Sequence, residues 1–357
     1  MFDLRAPGVL VAVVALGASV VRGEDPALTQ ISGIYPRLAV TNRGNSECGI
    51  GAVVPWAERL WFLTYPASGP RGSDDKLYAL DRDLQRTVSP ASVGGTHANR
   101  MIHRESNQLI IGPYFIDAKG NVRAISPRQM QGRLTATTRH LFDPANKVYF
   151  VTMEEGLYEV DVHTLSVKTL HPDLDARVAR VSHLPADHGK GGYVGQGRLV
   201  VTNNASGGVL TEWTGAGDPA NPESWNTVDG NKYTDVTGPG GIYGAADRDA
   251  PLWAVGWDAR SLLLNVCDGG SWNRFRLPKA SFTYDADNGC FTEWPRIREV
   301  GGNRMMTVHG MFFDFPTTFS RSNAAGIRPI ATFLKMVVDF ADWNGALVCA
   351  ADDASKF

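Results

Sequence analysis

Short apolar runs closed by polar residues recur along the whole chain: LWFLTY (60–65), LIIGPY (109–114), VYFVTM (148–153), LVVTNN (199–204), LWAVGW (252–257), MTVHGM (306–311) and LVCAAD (347–352). Runs this short, rich in β-branched and aromatic residues, predict strands rather than helices. Ahead of each lies a second candidate strand, at 51–56, 99–104, 139–143, 191–195, 240–244, 294–299 and 333–340. Polar turns such as DPANK (143–147) and DWNG (342–345) separate the two. Third strands follow in KLYALD, GLYEVD, GVLTEW, SLLLNV and GMFFDF. The second strands begin 39 to 54 positions apart, the period of four-stranded propeller blades. The pattern predicts an all-β chain: a seven-bladed β-propeller, one domain over residues 31–357, with its last blade incomplete.

A repeat also predicts which residues share a rim. The residues leading into the first strands are Glu47, His97, Arg139, His188, Gly240, Glu293 and Arg328, and those at the ends of the second strands are Tyr65, Tyr114, Glu154, Asn203, Trp257, His309 and Asp352. So many His, Arg, carboxylate and aromatic side chains at equivalent places predict a binding site there. GGTHANRMIHRES (94–106) presents His97 and Arg100 at its mouth. TGPGGIYG (237–244) is rich in glycine where a first strand is expected, which fits either close approach of a ligand or tight packing at the axis.

Composition narrows the classes. A net charge of −2 gives no footprint for nucleic acid, which is recognised through clustered Lys and Arg. The N-terminal apolar run from Gly8 to Val21 is shorter than the ~20 residues that span a bilayer. It predicts a signal peptide over residues 1–23, no stable membrane span, and a secreted or periplasmic monomer. Four cysteines imply no disulfide framework; Cys267 and Cys290 fit either a bridge or buried thiols. The seventh unit stops soon after its second strand, which suggests a truncated or open last blade. Residues 31–41 are expected to supply an outer strand that latches it.

No P-loop, dinucleotide fingerprint, zinc helix or serine elbow occurs, so no cofactor is expected. What remains is acid–base chemistry by His, Tyr and carboxylates, with Arg to hold an anion and aromatic faces to stack on sugars. An acidic polysaccharide or oligosaccharide containing uronic acid meets both preferences. For β-elimination, Arg139 or Arg260 would neutralise the uronate while His97, His188 or a Tyr took the proton. For hydrolysis, the carboxylates are Glu47, Glu154, Glu293 and Asp258. Asp352 and Asp353 are candidate ligands of a channel cation such as Ca²⁺.

The stretches ISGIYPRLAV, ECGIGAVVPWAERLWFLTY, GTHANRMIHRESNQLIIGPYFIDAKGNVR, TGPGGIYG and MTVHGMFFDFP resemble bacterial seven-bladed propellers of carbohydrate-degrading gene sets. In architecture the chain is similar to propeller polysaccharide lyases, including ulvan lyases, and to the enzymes that release L-rhamnose from glucuronic acid, once classed as glycoside hydrolase family 145. The resemblance covers Ile31 to the C-terminus and rests on blade layout. It implies a lyase in which His97 holds the place of one catalytic histidine. Pro113 or Tyr114 stands where a second is found, which makes Tyr114 a substitute and His188 a candidate from another blade. The expected substrate contacts are Tyr65, Arg100, Glu154, Asn203, Trp257, Asp258, Arg260, Glu293 and His309. A glycoside hydrolase acting on a rhamnose–glucuronate linkage and a non-catalytic glycan-binding propeller are the alternatives.

Overall fold

The structure, a computed structural model, describes residues 8–14, 29–31, 37–41, 48–66, 76–93, 100–154, 156–172, 189–204, 208–244, 248–278, 296–300, 303–308, 311–314, 327–333 and 337–351. These form seven sheets, each built on four antiparallel strands with the first at one edge. Sheet 1 comprises Cys48–Trp56, Arg59–Pro66, Leu77–Leu80 and Arg86–Val88. Sheet 2 comprises Arg100–His103, Gln108–Ile111, Tyr114–Asp117 and Val122–Ala124. Sheet 3 follows with Leu134–Arg139, Lys147–Thr152, Leu157–Asp161 and Val167–His171. Sheet 4 holds Gly189–Gly195, Arg198–Asn203, Val209–Trp213 and Asn226–Asp229. Sheet 5 holds Lys232–Thr237, Leu252–Trp257, Ser261–Asp268 and Ser271–Pro278. In sheet 6, Arg296–Val300, Asn303–Val308, Met311–Asp314 and Arg328–Phe333 are joined by Thr29–Ile31, which runs parallel to the last of them.

Sheet 7 is built from both ends of the chain. Val337–Trp343 and Ala346–Ala351 are its first two strands, and Gly8–Val14 and Arg37–Thr41 its third and fourth. The latch expected from residues 31–41 is therefore present as Arg37–Thr41. Gly8–Val14, the described part of the apolar run expected as a signal-peptide core, holds the place of the strand that the sequence left missing.

Packing between sheets is apolar and cyclic. Seven clusters of buried side chains each fill the space between two sheets, in the order 1–2, 2–3, 3–4, 4–5, 5–6, 6–7 and 7–1. The last of these sets Val53, Phe62 and Tyr78 of sheet 1 against Trp343 and Val348 of sheet 7. Each fully buried Leu, Ile, Val or Phe contributes about 1.5–3 kcal/mol, so the clusters carry most of the cohesion between sheets.

Several expected elements differ; in sheet 6 the second strand is 303–308 rather than 306–311, and in sheet 7 the first is 337–343 rather than 333–340. The first strand of sheet 3 is 134–139 rather than 139–143. That of sheet 5 is 232–237 rather than 240–244, and residues 241–243 form a short 3₁₀ turn. In sheet 2 the second strand ends at Ile111, and Tyr114 opens the third. The first strands of sheets 3 and 5 read LTATTR and KYTDVT, threonine-rich sequences with no apolar run to mark them. The same strands carry a feature of the repeat invisible in the apolar pattern. Five of the seven first strands have a register shift near their start, which leaves Gly51, Thr135, Lys190, Thr234 and Val338 as the extra residue. Such a shift re-aims the side chain that follows it.

Candidate functional site

Each sheet has a front end, where its first strand begins and its second finishes, and a rear end, where those two strands are joined. Lys232 faces Trp257 at the front of sheet 5, and Gly189 faces Asn203 at the front of sheet 4. Tyr65 occupies the corresponding backbone position in sheet 1, opposite Gly49. Asp258 and Arg260 lie in the turn after Trp257. These predicted residues do sit at front ends.

Others have structural duties. Tyr114 is wholly buried in the cluster between sheets 1 and 2, and its hydroxyl accepts the Val93 N–H at 3.0 Å, so it is no solvent-facing base. Glu154 is buried and accepts the Arg133 N–H at 2.7 Å, with the Arg133 guanidinium also bound to it. Asp258 takes the N–H groups of Arg260 and Ser261 at 2.8 and 2.7 Å and is ion-paired with Arg276. Asn203 and Trp257 are buried. Arg139 lies at the rear of sheet 3, the end opposite to that expected, ion-paired with Glu105. Arg328 opens the fourth strand of sheet 6 rather than leading into a first strand. Glu47, His97, His188, Glu293, His309, Asp352 and Asp353 lie outside the described residues. Among the described residues no group of three His, Cys, Asp or Glu side chains is placed to hold a metal ion. Cys267 and Cys349 are buried, and Cys290 lies outside the described residues.

The strongest polar constellation lies where the first strands converge, and only Arg100 of it was read from sequence. Asp235 and Asp339 hold the same repeat position, directly after the extra residue, in sheets 5 and 7. Each accepts a backbone N–H from the first strand of the next sheet: Asp339 from Val53 at 2.8 Å, Asp235 from Ile297 at 3.2 Å. Arg298 bridges the pair, 3.1 Å from Asp339 and 2.8 Å from Asp235. Arg100, 239 positions from Asp339 in sequence, donates to the same carboxylate oxygen at 2.6 Å. Arg296, two residues before Arg298 and so on the same face of the strand, donates to the Thr234 carbonyl at 2.6 Å. Sheets 1, 2, 5, 6 and 7 are thereby tied together at their inner edges. The surroundings set the two guanidiniums apart. Burial opposes the charge of Arg298, but Asp235 and Asp339 outweigh it and hold its pKa above the ordinary value. At Arg100 burial wins, aided by the charge of Arg298, and the pKa falls to about 10.

Beside this network is a cavity of about 60 Å³ lined by the first strands of sheets 2 to 6 and by the 3₁₀ turn. Gly191 permits the close approach of sheets 4 and 5, since a Cβ there would lie 2.7 Å from Thr202 Oγ1 and 3.0 Å from Asp235 Cα. The 3₁₀ turn reaches from the rear of sheet 5 to the first strands of sheets 2 and 6. Tyr243 in it stacks under Arg104, whose Cζ is 4.5 Å from the ring centre. The space admits a few waters or a small ion, and not a sugar residue.

Comparison with protein-family models and with curated protein sequences returned no match. Among solved structures, U3-55K is similar with a TM-score of 0.54 at 8% identity, over 86% of this chain and 90% of that one. The WD40 β-propeller domain of Doa1 gives a TM-score of 0.49 at 11% identity, over 88% and 96% of the two chains. PorZ, a bacterial surface component of the type-IX secretion system of Porphyromonas gingivalis, gives 0.48 at 12% identity over 85% of this chain. The chain spans 36% of the length of PorZ. The described residues define an all-β protein of repeated four-stranded antiparallel sheets. No helix among the described residues is long and apolar enough to cross a membrane.

Proposed function

We propose that the seven sheets form one seven-bladed propeller that binds an acidic glycan at its front rim. The cyclic order of the seven apolar clusters supports the ring. The size of the central cavity argues for a ligand held on a rim rather than inside the channel. One observation carries the choice of ligand: Lys232 Nζ lies 6.0 Å from the centre of the Trp257 ring at the front of sheet 5, with exposed Arg260 in the adjoining turn. Two cations at this end of the sheet, Lys232 beside the buried Trp257 ring and exposed Arg260 in the turn, suit a ligand that bears carboxylates. The resemblance in blade layout to propeller lyases points to the same ligand class.

Binding is preferred to cleavage because Tyr114, Arg139, Glu154 and Asp258 are engaged in structural contacts. Catalysis by β-elimination would rest on His97 and His188. The test is calorimetric titration with a panel of polyuronates, with and without chelator, alongside ultraviolet absorbance for unsaturated uronate and a reducing-sugar assay. Saturable binding without product is expected, weakened at least about tenfold in Lys232→Ala, the scale of one lost charge-assisted contact. Absorbance rising with reducing ends would replace this reading by a lyase, reducing ends alone by a hydrolase, and silence in all three signals would end it.

A further inference from the structure

We infer that the central cavity is a binding site for a small monovalent anion of the size of chloride or formate, seated against Arg100. Arg100 begins the first strand of sheet 2 and is only 9% exposed, yet its guanidinium is under-used. One terminal nitrogen donates to Asp339 and, at 3.3 Å, to the Phe340 carbonyl, while the buried Nε has no partner. The carboxylate oxygen it reaches is shared with Arg298. A planar guanidinium carries five N–H donors, and a buried donor left unmet costs far more than it would in water. The cavity that Arg100 lines is where that demand can be met.

Charge points the same way. Among the described residues the charged side chains lining the cavity are Arg100, Arg296, Arg298 and Asp235, and Asp339 is ion-paired with Arg100 and Arg298. Asp339 also serves the Val53 N–H, so its second oxygen is already engaged. Water could satisfy a donor, but an anion also offsets the field of two neighbouring guanidiniums in a medium of low dielectric. The volume sets the upper size: a halide or a one-carbon carboxylate fits, a sugar acid does not. The site is independent of the glycan reading, since it lies in the channel and uses none of Lys232, Trp257 or Arg260.

The full chain is melted in sodium gluconate, whose anion is too large for the cavity, with chloride or formate substituted stepwise at constant ionic strength. An anion that binds only the folded state is expected to raise the midpoint on the order of 2–3 °C per tenfold increase above its dissociation constant. Whether chloride or formate acts at the lower concentration identifies the better occupant. Arg100→Met, in which Asp339 keeps Arg298 and the Val53 N–H, is expected to lose that dependence. Should the variant fail to fold, crystals of the unaltered protein soaked in bromide give the independent reading, with an anomalous peak beside Arg100 Nε expected. Superimposable chloride and gluconate melts, an unchanged slope in Arg100→Met, or no bromide in the cavity would overturn the proposal.

Discussion

The Nδ1 atom of His140 accepts two backbone N–H groups of the turn that joins the first and second strands of sheet 3, from Phe142 at 3.2 Å and Asp143 at 2.9 Å. Its Nε2 therefore carries the proton and donates to Glu159 at 2.9 Å. His103 plays the same part in sheet 2: Nδ1 accepts the Ser106 N–H at 3.2 Å, and Nε2 donates to the Pro144 carbonyl at 2.9 Å. A second proton on either ring would set a donor against the turn's own donors. Burial is the main force lowering both pKa values, opposed at His140 by the bond to Glu159 and at His103 by the bond to Pro144. The sign follows. An unfolded histidine titrates near 6.5, so below that pH the unfolded chain binds more protons than the folded one. The stability these groups support is complete above about pH 6.5 and is lost as pH falls toward the lowered folded values, at up to ~1.4 kcal/mol per pH unit for each. The urea midpoint is expected to drop between pH 7 and pH 5. His140→Asn, which keeps an acceptor near the Nδ1 position and does not titrate there, is expected to flatten that drop; an unchanged profile would assign it to other groups.

At the scale of the element, what the sequence made legible depended on which way a strand faces. Second strands lie between two others with both faces against neighbouring sheets, so they read as apolar runs, and LWAVGW is the strand Leu252–Trp257 to the residue. First strands at the polar centre alternate Thr, Asp and Arg with apolar residues. LTATTR and KYTDVT were missed for that reason, and with them Asp235. The expected site suffered likewise. Charges in turns were visible, whereas Asp339 is a single carboxylate inside the strand VVDFADW. The glycine-rich stretch mistaken for a first strand shows the converse, because its glycines serve the 3₁₀ turn. Gly244 has φ +72° and ψ 158°, a region essentially reserved for glycine, and a Cβ there would lie 2.6 Å from Arg139 Cδ. Gly244→Ala is expected to cost about 1–3 kcal/mol in urea denaturation. Adding Arg139→Ala should return only the part due to crowding, leaving the backbone strain. Complete recovery in the double variant would mean that the backbone conformation there carries no strain.

Over the whole molecule, the question is what closes sheet 7. Gly8–Val14 forms five residue pairs with Ala346–Ala351 on one side and five with Arg37–Thr41 on the other, and Arg37–Thr41 has no other partner strand among the described residues. One segment thus holds the outer strand in place and covers an edge that would otherwise present free N–H and C=O groups. Removal of a signal peptide would take this strand away, so the two roles are mutually exclusive for residues 8–14. The pairing leads us to expect that the folded protein keeps them, and that the intact mass of the purified chain includes them. Deleting residues 2–14 should then remove both sets of pairings at a net ~0.5–1.5 kcal/mol per hydrogen bond, a loss on the order of 5 kcal/mol, and leave Ala346–Ala351 open to edge pairing between molecules. Thermal melting with light scattering reads both consequences: a lower midpoint and concentration-dependent association. A deletion that melts like the full chain and stays monomeric would show that sheet 7 is stable with two strands, and would return the N-terminal run to the export role its composition suggests.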